Sequence, residues 1–381
     1  MDRQRKGLLS YWNLHEFNPE VEPPIVYEYP IYSDADIYGQ SVDPHSPYHF
    51  INLHNDNIRQ LGGSWETLTL RILCYLGDER PDTTSLDTDT AHYHGGWFVD
   101  EVVSIASMLT GIRLEVGDCT RELYAENAPY GRPLPQYQPH RPIRYSQLGP
   151  VLRCVKHCRD LSVLGKLNKL KVLTVDQYIA LVRAARMYSQ ALWIAESQPD
   201  FAWLLLISSV EIASNQWSEQ DDSPEDRLKA LRPEVADLLI NSGGEDLLKA
   251  VATQISHSLG ATNKFVKFCL NYIPEPPSVR PDTEKVKWTR KGFKEILNKL
   301  YKYRSDALHG GTPFPMPLCM PATRTLSPDL FAEVPLGLAS HGWGATWNRK
   351  DLPINLDTFC LFITGVLNNW VDDLINQNEP Q

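Results

Sequence analysis

Hydrophobic and polar positions change their period about midway along this chain. In the first part, IVYEYPIY and YHFINLH set aromatic or branched residues against polar ones in alternation, as half-buried strands do. Leu68–Leu76, LTLRILCYL, alternates in the same way and predicts another strand. Asp78–Asp89 predicts a polar loop. Over Trp97–Leu109 the apolar residues Val99, Val102, Val103, Ala106 and Leu109 follow a helical period, and Gly111 stops that helix. The first part therefore predicts mixed α and β structure.

Pro129, Pro133, Pro135, Pro139, Pro142 and Pro150 crowd the next stretch. Proline removes backbone donors and restricts the residue before it, so a linker or extended arm is expected here, with a domain boundary near 150. After about Val175 the pattern is helical almost without interruption. Thr174 or Asp176 can cap a helix to about Glu196, with Tyr178, Leu181, Val182, Ala185, Tyr188 and Leu192 as its apolar stripe. Pro199 or Asp200 opens a second helix, Phe201–Trp217. Ser223 followed by Asp226 starts a third, and more are expected over roughly 245–258, 262–273 and 283–308. A final helix, about Asp357–Ile375, carries Phe359, Phe362, Ile363, Val366, Leu367, Trp370, Val371 and Leu374 on one broad face that must pack on a partner. Between the last two lies Gly310–Asn355, with seven prolines and little periodicity. A loop that long inside a helical domain is often functional. The expected fold class is multidomain α+β. A mixed α/β domain over 1–150 precedes an all-helical domain over 151–381, which carries a Pro-rich insertion at 310–355.

Composition narrows the function. The chain of 381 residues has an ordinary apolar fraction, 42%, and a net charge of −10. That charge argues against a protein held on nucleic acid by its overall field, but leaves room for a local basic groove. The seven cysteines are scattered, which predicts reduced thiols in a cytoplasmic setting rather than a disulfide framework. No signal peptide is read at the start. The most membrane-like run, Phe201–Ile212, contains Glu211 and is too short to cross a bilayer. The chain lacks the phosphate-binding GxxxxGK[ST], the dinucleotide GxGxxG and the GxSxG of α/β-hydrolases.

One phrase concentrates candidate chemistry: NKLYKYRSDALHGGTPFP. Arg304 and His309 are separated by four residues, and the double glycine at 310–311 ends the helix. Five helical steps turn about 140°, so an intact helix would not aim both side chains at one point. Either the last turn unwinds, or the site is shared across a dimer. An Arg and a His at a helix C-terminus also suit the helix dipole with no chemistry at all.

RSDALHGG resembles the R-x4-H motif of HEPN domains, and most closely the Apea-like HEPN group, in which R-S-x-x-x-H-G closes a helix. The segment from Val175 to Trp217 is similar to that family's opening helix pair, which ends in an apolar run carrying a glutamate, here Glu211. The resemblance covers roughly 160–310. It implies an all-helical bundle and metal-independent RNA cleavage at a homodimer interface, with no cofactor, in a microbial stress, toxin or phage-defence setting. His309 would serve as general acid or base and Arg304 would hold phosphate oxygens. Ser305 and Asp306 match the polar positions that follow the family's arginine and are candidates to orient the pair. The nucleophile would be the RNA 2′-hydroxyl, so DNA would not be cut. The alternative is an inactive HEPN dimer that binds RNA or a regulatory protein.

Several residues stand near this reading. Glu211 lies on the stripe Phe201, Leu204, Ser208, Glu211, Asn215, where a carboxylate needs a partner. An ion pair with Arg304, or an ordinary helix–helix pair, would satisfy it. Lys287, Lys291 and Lys294 share a face of the expected 283–308 helix, with Lys302 near it. They could track a phosphate backbone or form a solvated face. Tyr301 and Tyr303 could stack bases or belong to the core. His92 and His94 with Asp100 nearby have the look of a metal site but lack an obvious third ligand. A turn at Gly95–Gly96 explains them as well. Cys154, His157 and Cys158 have helical spacing without a second ligand pair, and buried thiols are the default.

Overall fold

Ile25–Ser33 (β1) lies in the middle of an antiparallel sheet, with a paired strand on either side. The computed structural model describes residues 8–52, 65–76, 88, 90, 93–124, 130–135, 143–217, 223–255, 260–327 and 330–379. A short helix, α1 (Leu9–Glu16), precedes β1. Then come β2 (Ile37–Tyr38), β3 (Tyr48–Asn52), β4 (Trp65–Cys74), α2 (Phe98–Thr110), β5 (Glu115–Val116), β6 (Arg121–Tyr124) and β7 (Arg132–Pro133). The main sheet runs β3-β4-β1-β6-β7, with β5 also on β1. The β1–β4 register pairs Tyr29 with Leu70 and Glu28 with Arg71, whose side chains form an ion pair. Phe50, Leu68, Leu70 and Ile72 bury one face.

The second half is helical: α3 (Lys166–Lys169), α4 (Val175–Ile194), α5 (Pro199–Gln216), α6 (Pro224–Leu231), α7 (Pro233–Ile255), α8 (Ala261–Asn271), α9 (Arg290–Gly310) and α10 (Leu356–Asn378). Of the remaining strands, β8 (Arg159–Asp160) pairs with β2, and β9 (Leu338–Ser340) with β10 (Ala345–Trp347). The chain is thus mixed α/β, with a small antiparallel sheet and many helices. None of the described helices is long and apolar enough to cross a membrane. The hydrophobic core is continuous from Leu8 to Ile375 and joins the sheet, α2 and the helical half. α2 is buried nearly all round, as a helix enclosed by others must be. A second, small core of Leu228, Ala236, Leu248 and Ala252 belongs to α6 and α7 alone.

Local signals explain many boundaries. Thr174 caps α4 and forms a reciprocal capping box with Gln177. The expected α4 stripe, Tyr178 to Leu192, is buried throughout. Gly111 ends α2 in the left-handed region at φ 71°, and Ser223 caps α6. The α10 face from Phe359 to Leu374 is wholly buried.

Three expectations need correction, and a fourth gains detail. Pro133 lies in β7 rather than in a linker, but on a sheet edge, where a missing donor is tolerated. α7 begins at Pro233, well before 245, and kinks at Gly244. The helix expected from 283 starts only at Arg290, capped by Thr289. The backbone before it passes close to Gly292, where an added Cβ would sit 2.3 Å from the Lys287 carbonyl. Finally, the Gly310–Asn355 connection is anchored and contains β9 and β10. Phe314 stacks on Trp203 at 5.6 Å, and the Leu318 carbonyl accepts from the Trp203 indole at 3.1 Å. The polar loop expected over Asp78–Asp89 lies, Thr88 excepted, outside the described residues.

Candidate functional site

α9 and α5 bring the motif and its glutamate together. Arg304 Nη2 donates to Glu211 Oε2 at 2.8 Å, and the Tyr301 hydroxyl donates to Glu211 Oε1 at 2.7 Å. Both carboxylate oxygens are therefore engaged. The guanidinium carbon lies 5.4 Å from the centre of the Tyr301 ring, which itself packs against Phe265. Burial, reinforced by the hydrogen bond to Glu211, pushes the Tyr301 hydroxyl well above its ordinary range, so it stays a donor. Arg304 Nε is sealed from solvent without a partner among the described residues, whereas Nη1 is not sealed and forms no hydrogen bond to them. Donors thus remain on the guanidinium after Glu211 has been served.

These residues form one side of a groove of about 1870 Å³. Ser208, Glu211 and Asn215 of α5 contribute to it, as do Asn298, Tyr301, Arg304, Ser305 and His309 of α9. Arg232 stands at the α6–α7 junction, and Lys264 of α8 donates to Asn215 Oδ1 at 3.1 Å. The stripe containing Glu211 is therefore the groove side of α5. Phe201 on it is half exposed, while Trp203, Leu206, Ile207 and Val210 face the core.

His309 is exposed, with no hydrogen bond to a described residue. α9 stays helical through Gly310, and Gly311 caps it in the left-handed region at φ 63°. The last turn does not unwind, so Arg304 and His309 reach the groove from positions about 140° apart around one helix. Ser305 lines the groove beside them. Asp306 is absent from its lining; its carboxylate accepts from Lys302 Nζ at 2.5 Å, and its carbonyl accepts from the Gly311 amide.

The basic residues divide. Lys287 precedes α9 and cannot share its face with Lys291 and Lys294, because Thr289 sets the helix start. Lys291 is seven residues before Asn298 and Lys294 seven before Tyr301. Two helical turns place both exposed lysines on the groove side, further up α9. Lys302 is spent on Asp306. Tyr301 is only 7% exposed, so its ring has little face left for a base and its part here is to hold Glu211. Tyr303 donates to the Asp351 carbonyl.

Asn298 and Lys264 were not singled out in the sequence. Helical spacing offered a signal for Asn298, three residues before Tyr301, whereas Lys264 depends on how α8 packs. The weaker constellations take other roles. His92 lies outside the described residues. Buried His94 contacts Glu101 at 2.8 Å, and Asp100 accepts from the Trp97 amide. Cys154 lies in a single 3-10 turn that ends before His157, so helical spacing to Cys158 is not realised. Cys154 is buried and Cys158 exposed. All seven thiols are free.

No family model, curated protein or solved structure matches the chain.

Proposed function

We propose that this protein is a HEPN-type endoribonuclease of the Apea-like group, cutting RNA without a metal through the substrate's own 2′-hydroxyl. The observation that carries the reading is the Glu211-held guanidinium of Arg304, with donors to spare, on a groove that His309 also lines. RNA cleavage by this route needs a proton acceptor at the 2′-oxygen, a proton donor at the leaving 5′-oxygen and a fixed cation at the phosphate. His309 has the acid–base chemistry and Arg304 the fixed charge. Glu211 and Tyr301 position Arg304, and Ser305 is near enough to assist. Lys291 and Lys294 extend a cationic path along the same side of α9. The unbroken helix favours a homodimer in which one copy's His309 works opposite its partner's Arg304. The free thiols fit a reducing, cytoplasmic setting. The resemblance points to microbial stress or phage defence.

The test is cleavage of RNA by the full chain with chelator present, comparing wild type with Arg304→Ala and His309→Ala. Products ending in 2′,3′-cyclic phosphate, lost in both variants, support the nuclease. Activity restored by mixing the two variants supports the shared dimeric site. Equal cutting by all three proteins would sink the reading.

One observation favours a second reading. His309 has no orienting partner among the described residues, as suits a HEPN module that binds RNA without cutting it. RNA that binds, depends on Arg304 and stays intact would select that reading.

A further inference from the structure

A second cavity, of about 740 Å³, lies between α2 and α4 and shares no lining residue with the Arg304 groove. Its walls join the sheet-bearing half to the helical half. Leu114 and Val116 close one side, while Trp193 supplies an aromatic wall. The Trp193 indole N–H is directed to the Leu114 carbonyl at 3.3 Å, which holds the ring in place.

Two hydroxyl-bearing residues line this cavity. Ser104 of α2 is 6% exposed and Ser189 of α4 is 8% exposed. Both line the cavity, and neither side chain has a hydrogen-bond partner among the described residues. Neither oxygen is sealed in without a partner; both open onto the cavity, where each can donate to or accept from a polar guest. Cations stand beside them. Arg144 is exposed and forms no ion pair among the described residues. Arg186 donates through Nη2 to the Gly95 carbonyl at 2.8 Å, while Nη1 lies a loose 3.8 Å from Asp100. Three carboxylates, Asp100, Glu115 and Glu196, line the same cavity; Arg113 and two backbone amides already engage Glu196, and Asp100 faces Arg186.

We propose that this cavity binds a free nucleoside monophosphate. An aromatic wall suits a planar base, paired serines and Gln190 suit its polar edges, and two guanidinium groups suit a phosphate. The volume falls within the range of small-molecule sites, and such sites favour junctions between parts of a fold. The inference stands independently of the nuclease reading, since no residue is common to the two sites.

The experiment is titration calorimetry of the full chain with AMP, GMP, CMP and UMP, alongside inorganic phosphate and the free nucleosides. At least one nucleotide is expected to bind at least tenfold more tightly than phosphate or its own nucleoside. Arg144→Ala, on an exposed side chain, should weaken that nucleotide about tenfold. The double variant Ser104→Ala, Ser189→Ala should weaken it severalfold, and Arg304→Ala should leave it unchanged. Absence of binding by all four nucleotides overturns the proposal. So does binding that depends on Arg304 but not on Arg144. Phosphate binding as tightly as the nucleotide removes the base from the assignment and overturns it. An Arg144-dependent preference for a short RNA over the mononucleotide would make the site one for a chain end, and overturns it too.

Discussion

Arg113 and Arg304 are each held by a glutamate, and their surroundings give them opposite roles. Arg113 is wholly enclosed. Its Nη1 meets Asp34 at 2.6 Å, its Nη2 meets Glu196 at 2.7 Å and its Nε donates to the Leu192 carbonyl at 2.7 Å. Burial alone would pull this guanidinium down, but Asp34 and Glu196 outweigh it and hold it above its ordinary value. Arg304 has one carboxylate, is 19% exposed at its side chain and keeps donors unspent beside a groove. A guanidinium whose nitrogens are all used holds structure together. One anchored on a single side can still take a phosphate. Residue type does not separate the two cases; the number of donors left over does.

The comparison breaks most sharply at Arg113. Arg113→Ala leaves Asp34 and Glu196 buried without their counter-charge, with only the Tyr145 hydroxyl on Asp34 and two backbone amides on Glu196, and removing one partner of such a cluster costs about 3–5 kcal/mol. That is a large share of a typical domain's total stability. Denaturant unfolding should show the loss, and a change below about 1 kcal/mol would mean that the cluster does not stabilise the fold.

His309→Ala should behave in the opposite way. The side chain is exposed and unpartnered among the described residues, so stability should stay within about 0.5 kcal/mol. Cleavage should fall about 10²–10⁴-fold if the imidazole transfers a proton. A variant that retains full cleavage removes His309 from the chemistry.

Glu211→Gln lies between these extremes. It keeps the shape but loses the charge that holds Arg304, and should cost about 1 kcal/mol of stability. Cleavage should fall about tenfold, with Tyr301→Phe giving a smaller drop of the same kind. If Glu211→Gln matched Arg113→Ala in stability, the ion pair would be a core support and the contrast between the two arginines would collapse.

The sequence revealed these two clusters unequally. Glu211 and Arg304 were legible as a candidate pair because each sits in a patterned helix, and a carboxylate among apolar residues demands a partner. Asp34, Arg113 and Glu196 lie outside the helices and strands, where no periodicity flags them, and they meet only through tertiary packing. The same division runs through the fold. Capped, amphipathic α4 and α10 were read nearly to their ends, because Thr174 and a stripe of apolar residues are local facts. α9 starts at the Thr289 cap rather than near 283 because a long-range contact also holds the segment before it. Glu333, from the connection after α9, is held by Arg280 and accepts from the Val286 amide, keeping that segment out of helix. The order of strands in the sheet, with β1 between β4 and β6, was equally beyond local pattern.

The smallest expected effect separates two lysines on α9 that look alike in sequence. Lys302 is 70% exposed at its side chain and already paired with Asp306. An exposed i,i+4 pair contributes a few tenths of a kcal/mol, so Lys302→Ala should scarcely change stability. Its charge is also balanced locally, so it should leave RNA affinity unaltered. Lys294 is exposed on the groove side and has no ion pair among the described residues. If RNA runs along that side, Lys294→Ala should weaken binding severalfold and reduce the slope of log affinity against log salt by about 1. Fluorescence anisotropy with a 2′-O-methyl RNA oligonucleotide, whose blocked 2′-oxygen cannot attack, measures both quantities without interference from cleavage. A changed slope in Lys302→Ala and an unchanged one in Lys294→Ala would place the RNA on the other side of α9, and would detach the basic row from the Arg304 groove.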